Sequence, residues 1–230
     1  MIQDINTSTI NNQEDSFIFI PYKDQYFLSR FYKFLPDGNI LTGKSGLEIW
    51  AKERKLDPKE TLERFIQISK HIDSMRNDAG CLDATSKFDK ESMEKVYFMD
   101  QYIYGEFGRG PLAELAFYAK ISQHQGLINN LFEKIIEKII TIVHTHSIDA
   151  IAIVPPSIER KYQLLGLLQK KLSPVGLPFI DVYKHFPHQI PVAQKTLKSS
   201  SQRIQNAQST IHIRIDEKSY NRVLLIDDFV

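Results

Sequence analysis

The sequence predicts an α/β protein with a parallel sheet in its C-terminal half and a mainly helical region before it. Two continuous apolar runs, Ala150–Val154 and Val223–Ile226, have strand length, and such runs are typical of parallel strands covered on both faces. Between them, the Leu-rich stretch Ile158–Leu172 predicts a helix and Phe179–Tyr183 predicts a strand, so that the pattern is a βαβ unit. Ligands of such folds bind beyond the carboxyl ends of the strands.

The N-terminal region, residues 1–100, contains one strong helix signal. Residues 1–15 are polar and predict a disordered tail, and Phe17–Ile20 predicts a short strand. Over Pro58–Asn77, apolar residues recur at helical spacing, and Asp57 provides an N-cap before the proline. We therefore expect a mainly helical region to which the sequence assigns no role.

The remaining residues, 101–230, are predicted to form the α/β domain. Helices are expected at Pro111–Lys120 and Gly126–Thr145, and the second has an apolar stripe wide enough to pack on a sheet. Residues 184–202 are expected to form a loop. Alternating isoleucines over residues 211–215 predict a half-exposed strand before the last apolar run.

The composition excludes several classes of function. Lys and Arg number 29 against 28 Asp and Glu, so the net charge does not indicate a nucleic-acid partner. The single cysteine, Cys81, excludes an internal disulfide and a cysteine-rich zinc site, and fits a reducing compartment. No apolar run has the roughly 18 residues of a membrane span, and the N-terminus is not signal-like. We therefore expect a cytoplasmic protein without a membrane partner.

The strongest functional signal is the acidic pair Asp227–Asp228, which directly follows the apolar run Val223–Ile226. Adjacent residues of a strand point to opposite sides, so the two carboxylates are expected to serve different partners. In a nucleotide site they could hold ribose hydroxyls, directly or through Mg²⁺ and water. A solvated turn or a helix cap is the alternative interpretation.

Three further segments precede the acidic pair. They are Tyr104–Phe107 with Gly110–Leu112 and Lys120; Ile153–Pro156 with Arg160 and Gly166–Gln169; and Gln194, Leu197, Arg203 and Asn206. In this order, and followed by Val223–Val230, they resemble segments of type I phosphoribosyltransferases, and more narrowly of the ComF-like group. Val223–Val230 resembles the start of that family's motif for phosphoribosyl diphosphate (PRPP). The resemblance covers about residues 101–230.

The resemblance implies a core that binds PRPP or a nucleotide together with Mg²⁺. Asp227 and Asp228 would face the ribose and reach the metal through water. The pyrophosphate would face Pro155, Pro156, Ser157 and Arg160, and a mobile cover would contribute Lys195, Arg203 and Asn206. Catalysis would rest on electrostatic stabilisation of the leaving pyrophosphate.

The activity implied by the resemblance is transfer of phosphoribosyl to or from a base or amine, and no residue identifies the acceptor. A non-catalytic protein of the same fold, which senses a nucleotide or supports DNA uptake or repair, is the main alternative. An inactive fragment is another. The oligomeric state stays open, and a homo-oligomer is compatible with the sequence.

The sequence departs from the family pattern at three places. In the family a Thr/Gly-rich turn follows the acidic pair and cradles the 5-phosphate, whereas here Phe229–Val230 follows, so we expect a C-terminally incomplete domain. Leu165 and Leu168 stand where the family has an arginine and an asparagine. The cysteine-ligated zinc module of the family has no counterpart, since Cys81 is the only cysteine.

A competing motif lies in the N-terminal region. Gly38–Ser45 matches the P-loop pattern G-x-x-x-x-G-K-[ST], which would make Lys44 essential to an NTPase. A P-loop follows a buried strand, but Arg30–Asp37 carries several charges and Pro36. A hairpin that turns at Asp37–Gly38 explains the same residues and is the preferred interpretation.

Two histidines, His144 and His146, lie at the predicted end of a helix. A metal site would need a third ligand, which the sequence does not indicate. A helix C-terminus favours a cationic histidine, so we interpret the pair as structural.

Overall fold

A computed structural model provides the fold. It describes residues 20–35, 37, 39–87, 93–156, 158, 160–186, 196–214 and 218–228. The chain divides into two compact units, Met1–Gln67 and Ile68–Val230. The tail predicted for residues 1–15 lies outside the described residues, and so does the strand predicted for Phe17–Ile20 except for its last residue.

The first unit is built around a small aromatic core. Its elements are helix α1 (Tyr22–Leu28), strands β1 (Tyr32–Phe34) and β2 (Ile40–Thr42), helix α2 (Gly43–Glu53) and the first part of helix α3 (Pro58–Ser74). The ring of Phe31 packs edge-to-face on Phe65, with 5.2 Å between the ring centroids, and on Trp50 at 6.5 Å. Because all three side chains are buried, this cluster holds α2 and α3 together.

The hairpin predicted at Asp37–Gly38 is confirmed in its strands, and the P-loop interpretation is wrong. Strand β2 pairs antiparallel with β1, with Phe34 opposite Ile40. The residues that would have to wrap a phosphate therefore form a strand. Lys44 lies 3.4 Å from Glu48, one turn further along α2.

The predicted start of α3 is confirmed. The carboxylate of Asp57 accepts a hydrogen bond from the backbone N–H of Glu60 (2.8 Å), as an N-cap does. The helix ends at Ser74, three residues before the predicted end at Asn77. It ends there because the next residues enter a bridge, in which Arg76 pairs with Leu82.

Residues 68–100 belong to the second unit, although the sequence analysis grouped them with the N-terminal region. Strands β3 (Leu82–Asp83) and β4 (Tyr97–Phe98) pair antiparallel. Next to them the guanidinium of Arg76 binds Asp100, Asp73 (2.7 Å) and the carbonyl oxygens of Gly80 (3.0 Å) and Met99 (3.1 Å). Burial alone would lower the pKa of Arg76, but the two carboxylates outweigh it and raise the pKa.

The second unit contains a parallel sheet. Its further elements are helices α4 (Pro111–Ser122) and α5 (Gln125–Thr145), strand β5 (Ala150–Ile153), helix α6 (Leu164–Leu172), strands β6 (Phe179–Ile180) and β7 (Val182–Lys184), helix α7 (Ser200–Thr210), and strands β8 (Ile211–Ile213) and β9 (Val223–Ile226). Within the described residues, β6, β5 and β9 form a three-stranded parallel sheet in that order, and β7 pairs antiparallel with β8. The predicted mixed α/β class is confirmed. None of the described helices combines the length and the apolarity that a membrane crossing requires.

One hydrophobic cluster joins the helices to the sheet. It includes residues of α4, α5, α6, β5 and β9, namely Leu115, Ala119, Ile128, Leu131, Phe132, Ile139, Val143, Ile151, Leu164, Leu165, Leu168, Leu172 and Ile226. The apolar stripe of α5 that the sequence predicted lies in this cluster. The cluster therefore fixes where the carboxyl ends of β5 and β9 lie.

The expectation that the last apolar run is buried on both faces is wrong. In β9, Ile226 is buried, but Val223 is 43% and Leu225 is 58% exposed. Successive side chains of a strand alternate between faces, so one face of β9 contacts the cluster and the other is open. In β5, by contrast, Ala150, Ile151 and Ala152 are all buried.

Three further elements differ from the sequence predictions. Helix α6 begins at Leu164 and not at Ile158. Residues 160–163 before it are not helical, and the backbone N–H of Tyr162 donates to Gln123 Oε1 (2.7 Å). The strand predicted at Phe179–Tyr183 is divided between two sheets at Asp181, whose carbonyl accepts the N–H of Arg214 (2.9 Å). The predicted loop ends early, since α7 begins at residue 200.

Candidate functional site

The carboxyl ends of β5 and β9 meet at one edge of the sheet. The two strands pair in parallel register, with Ile153 opposite Ile226, and the backbone N–H of Val154 donates to the carbonyl of Ile226 (3.0 Å). The loop after β5 therefore starts directly beside Asp227. Both segments were predicted site residues, and the structure brings them together.

The strand order makes this edge a topological switch point. From β5 the chain passes through α6 to β6 on one side, and later returns to β9 on the other side. In open α/β sheets the connections diverge at such a point and leave a crevice beyond the carboxyl ends of the two strands. The carboxyl ends of β5 and β9 are therefore the place where a fold of this kind favours a ligand.

The two acids at the end of β9 have different contacts within the chain. The carboxylate of Asp228 forms an ion pair with Lys120, whose Nζ lies 2.8 Å from Oδ2 and 2.9 Å from Oδ1. The carboxylate of Asp227 accepts the backbone N–H of Asp228 (2.7 Å). Lys120 lies in the last turn of α4, so this helix presents a cation to the site.

The pKa of Asp227 is raised. Asp227 as a whole residue is exposed, but the surrounding groups partly desolvate its carboxylate, and this desolvation raises the pKa. The negative charge of Asp228 acts in the same direction, while the N–H of Asp228 and the cations Lys120 and Lys184 oppose the rise. Burial lowers the pKa of Lys184, and the charge of Asp227 partly offsets this effect.

The loop after β5 also approaches Lys120. Arg160 Nη1 donates to the carbonyl oxygen of Lys120 (2.7 Å). Pro155 is half-buried and Pro156 is exposed, whereas Ser157 lies outside the described residues. Thus one guanidinium and one ammonium group lie around the end of α4, close to the acidic pair.

The residues predicted for the cover lie on or before α7. Arg203 Nε donates to the carbonyl of Leu197 (3.3 Å), and the carbonyl of Asn206 accepts a hydrogen bond from Thr210 Oγ1 (2.6 Å). These contacts hold α7 and its first turn together. Lys195 falls outside the described residues. The end of α7 is joined to β7, because the N–H of His185 donates to the carbonyl of Thr210 (2.8 Å).

Two cations of the site were absent from the predicted site residues. Lys120 was noted only as the end of a family-like helix, and Lys184 was not noted. Lys184 directly follows the predicted strand Phe179–Tyr183. A lysine at the end of a predicted strand is the signal that could have identified it.

The carboxylates at the strand ends are the groups that could bind Mg²⁺. Among the described residues no group of three or more His, Cys, Asp or Glu side chains could hold a metal ion. At the strand ends there are two carboxylates, and Asp228 is paired with Lys120. Mg²⁺ in proteins commonly keeps several waters and is held by one or two carboxylates and substrate phosphates. The site therefore fits Mg²⁺ that enters with a diphosphate, and does not fit a cage made by protein alone.

The histidine pair at the end of α5 has a structural contact. The hydroxyl of Tyr97 lies 2.9 Å from Nε2 of His146, and the two rings are 5.5 Å apart. The carbonyl of His146 accepts a hydrogen bond from Arg222 (3.0 Å). This histidine therefore connects β4, α5 and the start of β9.

A pocket of about 650 Å³ lies along α6, and its described lining does not include the acidic pair. We call it the α6 pocket. It is lined by Lys161, Tyr162, Gln163, Gly166, Leu167, Gln169, Lys170, Ser173 and Phe179.

The comparisons with known proteins found no relative. No protein-family model, no curated protein and no solved structure matches this chain. A function for this protein is therefore proposed from the geometry of the strand ends.

Proposed function

We propose that this protein is phosphoribosyltransferase-like and binds PRPP with Mg²⁺ at the carboxyl ends of β5 and β9. The observation that carries the proposal is the parallel register of these strands, which sets Val154 and its loop beside Asp227 and Asp228. Ribose hydroxyls and a diphosphate need carboxylate acceptors and cationic donors at adjacent points. The strand ends supply both kinds of group.

In this proposal the acidic pair holds the ribose. Ionised Asp227 would accept hydrogen bonds from ribose hydroxyls, and the raised pKa of Asp227 makes this interaction stronger at neutral than at acidic pH. Asp228 would give up its ion pair with Lys120 and bind the ligand instead. Mg²⁺ bound to the diphosphate would supply further neutralisation of charge.

The cations of the site serve the diphosphate in the proposal. Lys120 is 31% exposed at its side chain, so an anion can reach its ammonium group. Arg160 uses Nη1 for the carbonyl of Lys120 and is half-buried. Charge on the leaving pyrophosphate would be stabilised by these groups, which are fixed before the ligand binds.

Calorimetry with PRPP and Mg²⁺ tests the site. Asp227→Asn and Asp228→Asn remove one charged acceptor each, and a hydrogen bond to a charged group contributes about 1.5–3 kcal/mol. We expect each substitution to weaken binding by about 10- to 100-fold. Glu133→Gln, an exposed acid on α5, is the matched control and should bind as the unsubstituted protein does. Unchanged affinity in the double variant Asp227→Asn, Asp228→Asn would refute the site.

One observation favours a nucleotide sensor as the second candidate. Leu165 and Leu168, at the positions of the family's arginine and asparagine, are 9% and 2% exposed and belong to the hydrophobic cluster. Their positions face the core, so replacing them would not restore phosphate ligands. A sensor would bind PRPP and release no pyrophosphate with any base or amine, whereas an enzyme would release it. An assay of pyrophosphate release across a panel of acceptors separates the two.

A further inference from the structure

The α6 pocket has the size of a small-molecule site. Its volume of about 650 Å³ lies within the roughly 300–1,000 Å³ of typical ligand pockets. One wall is the exposed side of α6, and another is Phe179 of β6. The buried side of α6, with Leu164 and Leu168, packs in the hydrophobic cluster, so the pocket rests on a fixed support.

The lining of the pocket favours a negatively charged ligand. Among the lining residues that the structure describes there are two lysines, Lys161 and Lys170, and no acidic residue. Lys161 Nζ lies 5.2 Å from the ring centroid of Tyr162, which keeps this ammonium group beside an aromatic surface. A ligand in the pocket would therefore meet two positive charges from the described lining residues.

The lining also offers aromatic surface. Tyr162 and Phe179 are half-buried, so each ring is partly accessible. A planar ligand can stack on such rings, and each stacked base contributes about 1–3 kcal/mol. The amide side chains of Gln163 and Gln169 provide both donors and acceptors for the edge of a base.

Gly166 keeps the pocket open. A Cβ placed there would meet only the Cβ of Gln163, at 3.7 Å, which is an ordinary contact. A larger side chain at this position would extend from the wall of the pocket without a backbone clash. The free space therefore depends on the absence of a side chain at residue 166.

We propose that the α6 pocket binds a nucleoside 5′-monophosphate, with the base against Tyr162 and Phe179 and the phosphate near Lys161 and Lys170. Within the described residues, its lining includes neither the acidic pair nor Lys120 or Arg160, the residues of the proposed PRPP site. Its described lining has the three features that this ligand class requires, namely aromatic walls, amide groups and positive charge.

Calorimetry of the full chain with adenosine 5′-monophosphate tests the proposal. Removal of a charged hydrogen-bond donor costs enough to weaken binding about tenfold, so Lys170→Gln should raise the dissociation constant by about that factor. Lys171→Gln is the matched control, because Lys171 is adjacent, equally exposed and outside the lining. Inorganic phosphate, which lacks the base, should bind at least about tenfold more weakly than the nucleotide.

Gly166→Leu provides a second variant that fills the pocket. It should abolish nucleotide binding, while circular dichroism and thermal denaturation verify that the chain is folded. Asp227→Asn should leave the affinity unchanged, which separates this site from the PRPP site. The proposal is overturned if the folded protein does not bind the nucleotide, if Lys170→Gln and Lys171→Gln act alike, or if Asp227→Asn removes binding.

Discussion

Gly110→Ala should strongly destabilise the protein because there is no space for the added methyl group. A Cβ at this position would lie 2.2 Å from the carbonyl oxygen of Gln101 and 2.6 Å from two ring carbons of Tyr104. Tyr104 is fully buried, so its ring cannot move into solvent. The φ of Gly110 is −63°, a value that alanine adopts freely, and the effect is therefore purely steric.

The expected cost follows from these contacts. The shortest contact is about 0.8 Å below the 3.0 Å that real Cβ atoms respect, so the backbone must shift. Overpacking of this kind costs about 1–3 kcal/mol. The shift also strains the hydrogen bond from Gly110 N–H to the carbonyl of Tyr102 (2.8 Å), worth about 1 kcal/mol. We expect a total loss of about 3 kcal/mol.

Urea and thermal denaturation followed by circular dichroism measure the loss. For a chain of this length, about 3 kcal/mol lowers Tm by roughly 6–12 °C. Gly166→Ala is the control, because its Cβ has only one contact, at 3.7 Å, and alanine favours the helix by about 0.5–1 kcal/mol. A Gly110→Ala protein within about 1 kcal/mol of the unsubstituted protein would refute the steric argument.

Three further predictions concern charged groups. Arg76→Met leaves the nearly buried carboxylate of Asp100 without its cation and should cost about 3–5 kcal/mol in urea denaturation; a loss below about 1 kcal/mol would contradict the role of this network. Lys120→Met removes the partly exposed ion pair with Asp228, and the expected loss is only about 1 kcal/mol after allowance for solvent screening. A double-mutant cycle with Asp228→Asn should give a favourable coupling free energy between Lys120 and Asp228. Additive effects of the two substitutions would show that the ion pair contributes nothing to stability. For Asp227, the raised pKa means that the folded state binds more protons than the unfolded state between the ordinary and the raised pKa, so its contribution to stability falls as pH rises through that window. Asp227→Asn should abolish this contribution, so the stability of the variant relative to the unsubstituted protein should rise from acidic to neutral pH. An identical dependence of stability on pH in both proteins would contradict the raised pKa.

The parts of the fold that the sequence predicted have strong local signals. Ala150–Ile153 forms the central parallel strand, because its small and branched side chains are buried on both faces. Asp57 caps α3, and its position directly before a proline at the first helical position is the local signal that predicted this cap. The parallel partner of β5 at Val223–Ile226 could also be anticipated from its apolar run.

Other features depend on tertiary context. Residues 223–226 are all apolar, so the sequence could not distinguish a strand covered on both faces from one with an open face, as in β9. The start of α6 is set by a contact between Tyr162 and Gln123, which are distant in sequence. Helix α7 had a local signal that was not used, namely the capping box of Ser199 and Gln202.

The candidate site was predictable in part. The acidic pair could be named because it follows a predicted strand, and Arg160 could be named only through the family resemblance. Their partner Lys120 is 108 residues from Asp228, and only the folded chain brings the two together. The same holds for Lys184, whose pKa is lowered by burial and raised in part by the charge of Asp227.

The most direct test of the central claim is a titration of the isotope-labelled protein with PRPP and Mg²⁺, followed by amide NMR. The account predicts that the largest chemical-shift changes occur at Val154, Ile226 and Asp228, at the carboxyl ends of the strands. Amides of Asp149 and Arg222, at the opposite ends of the same strands, should stay unchanged. Changes confined to those opposite ends, or no change at saturating ligand, would contradict a PRPP site between β5 and β9.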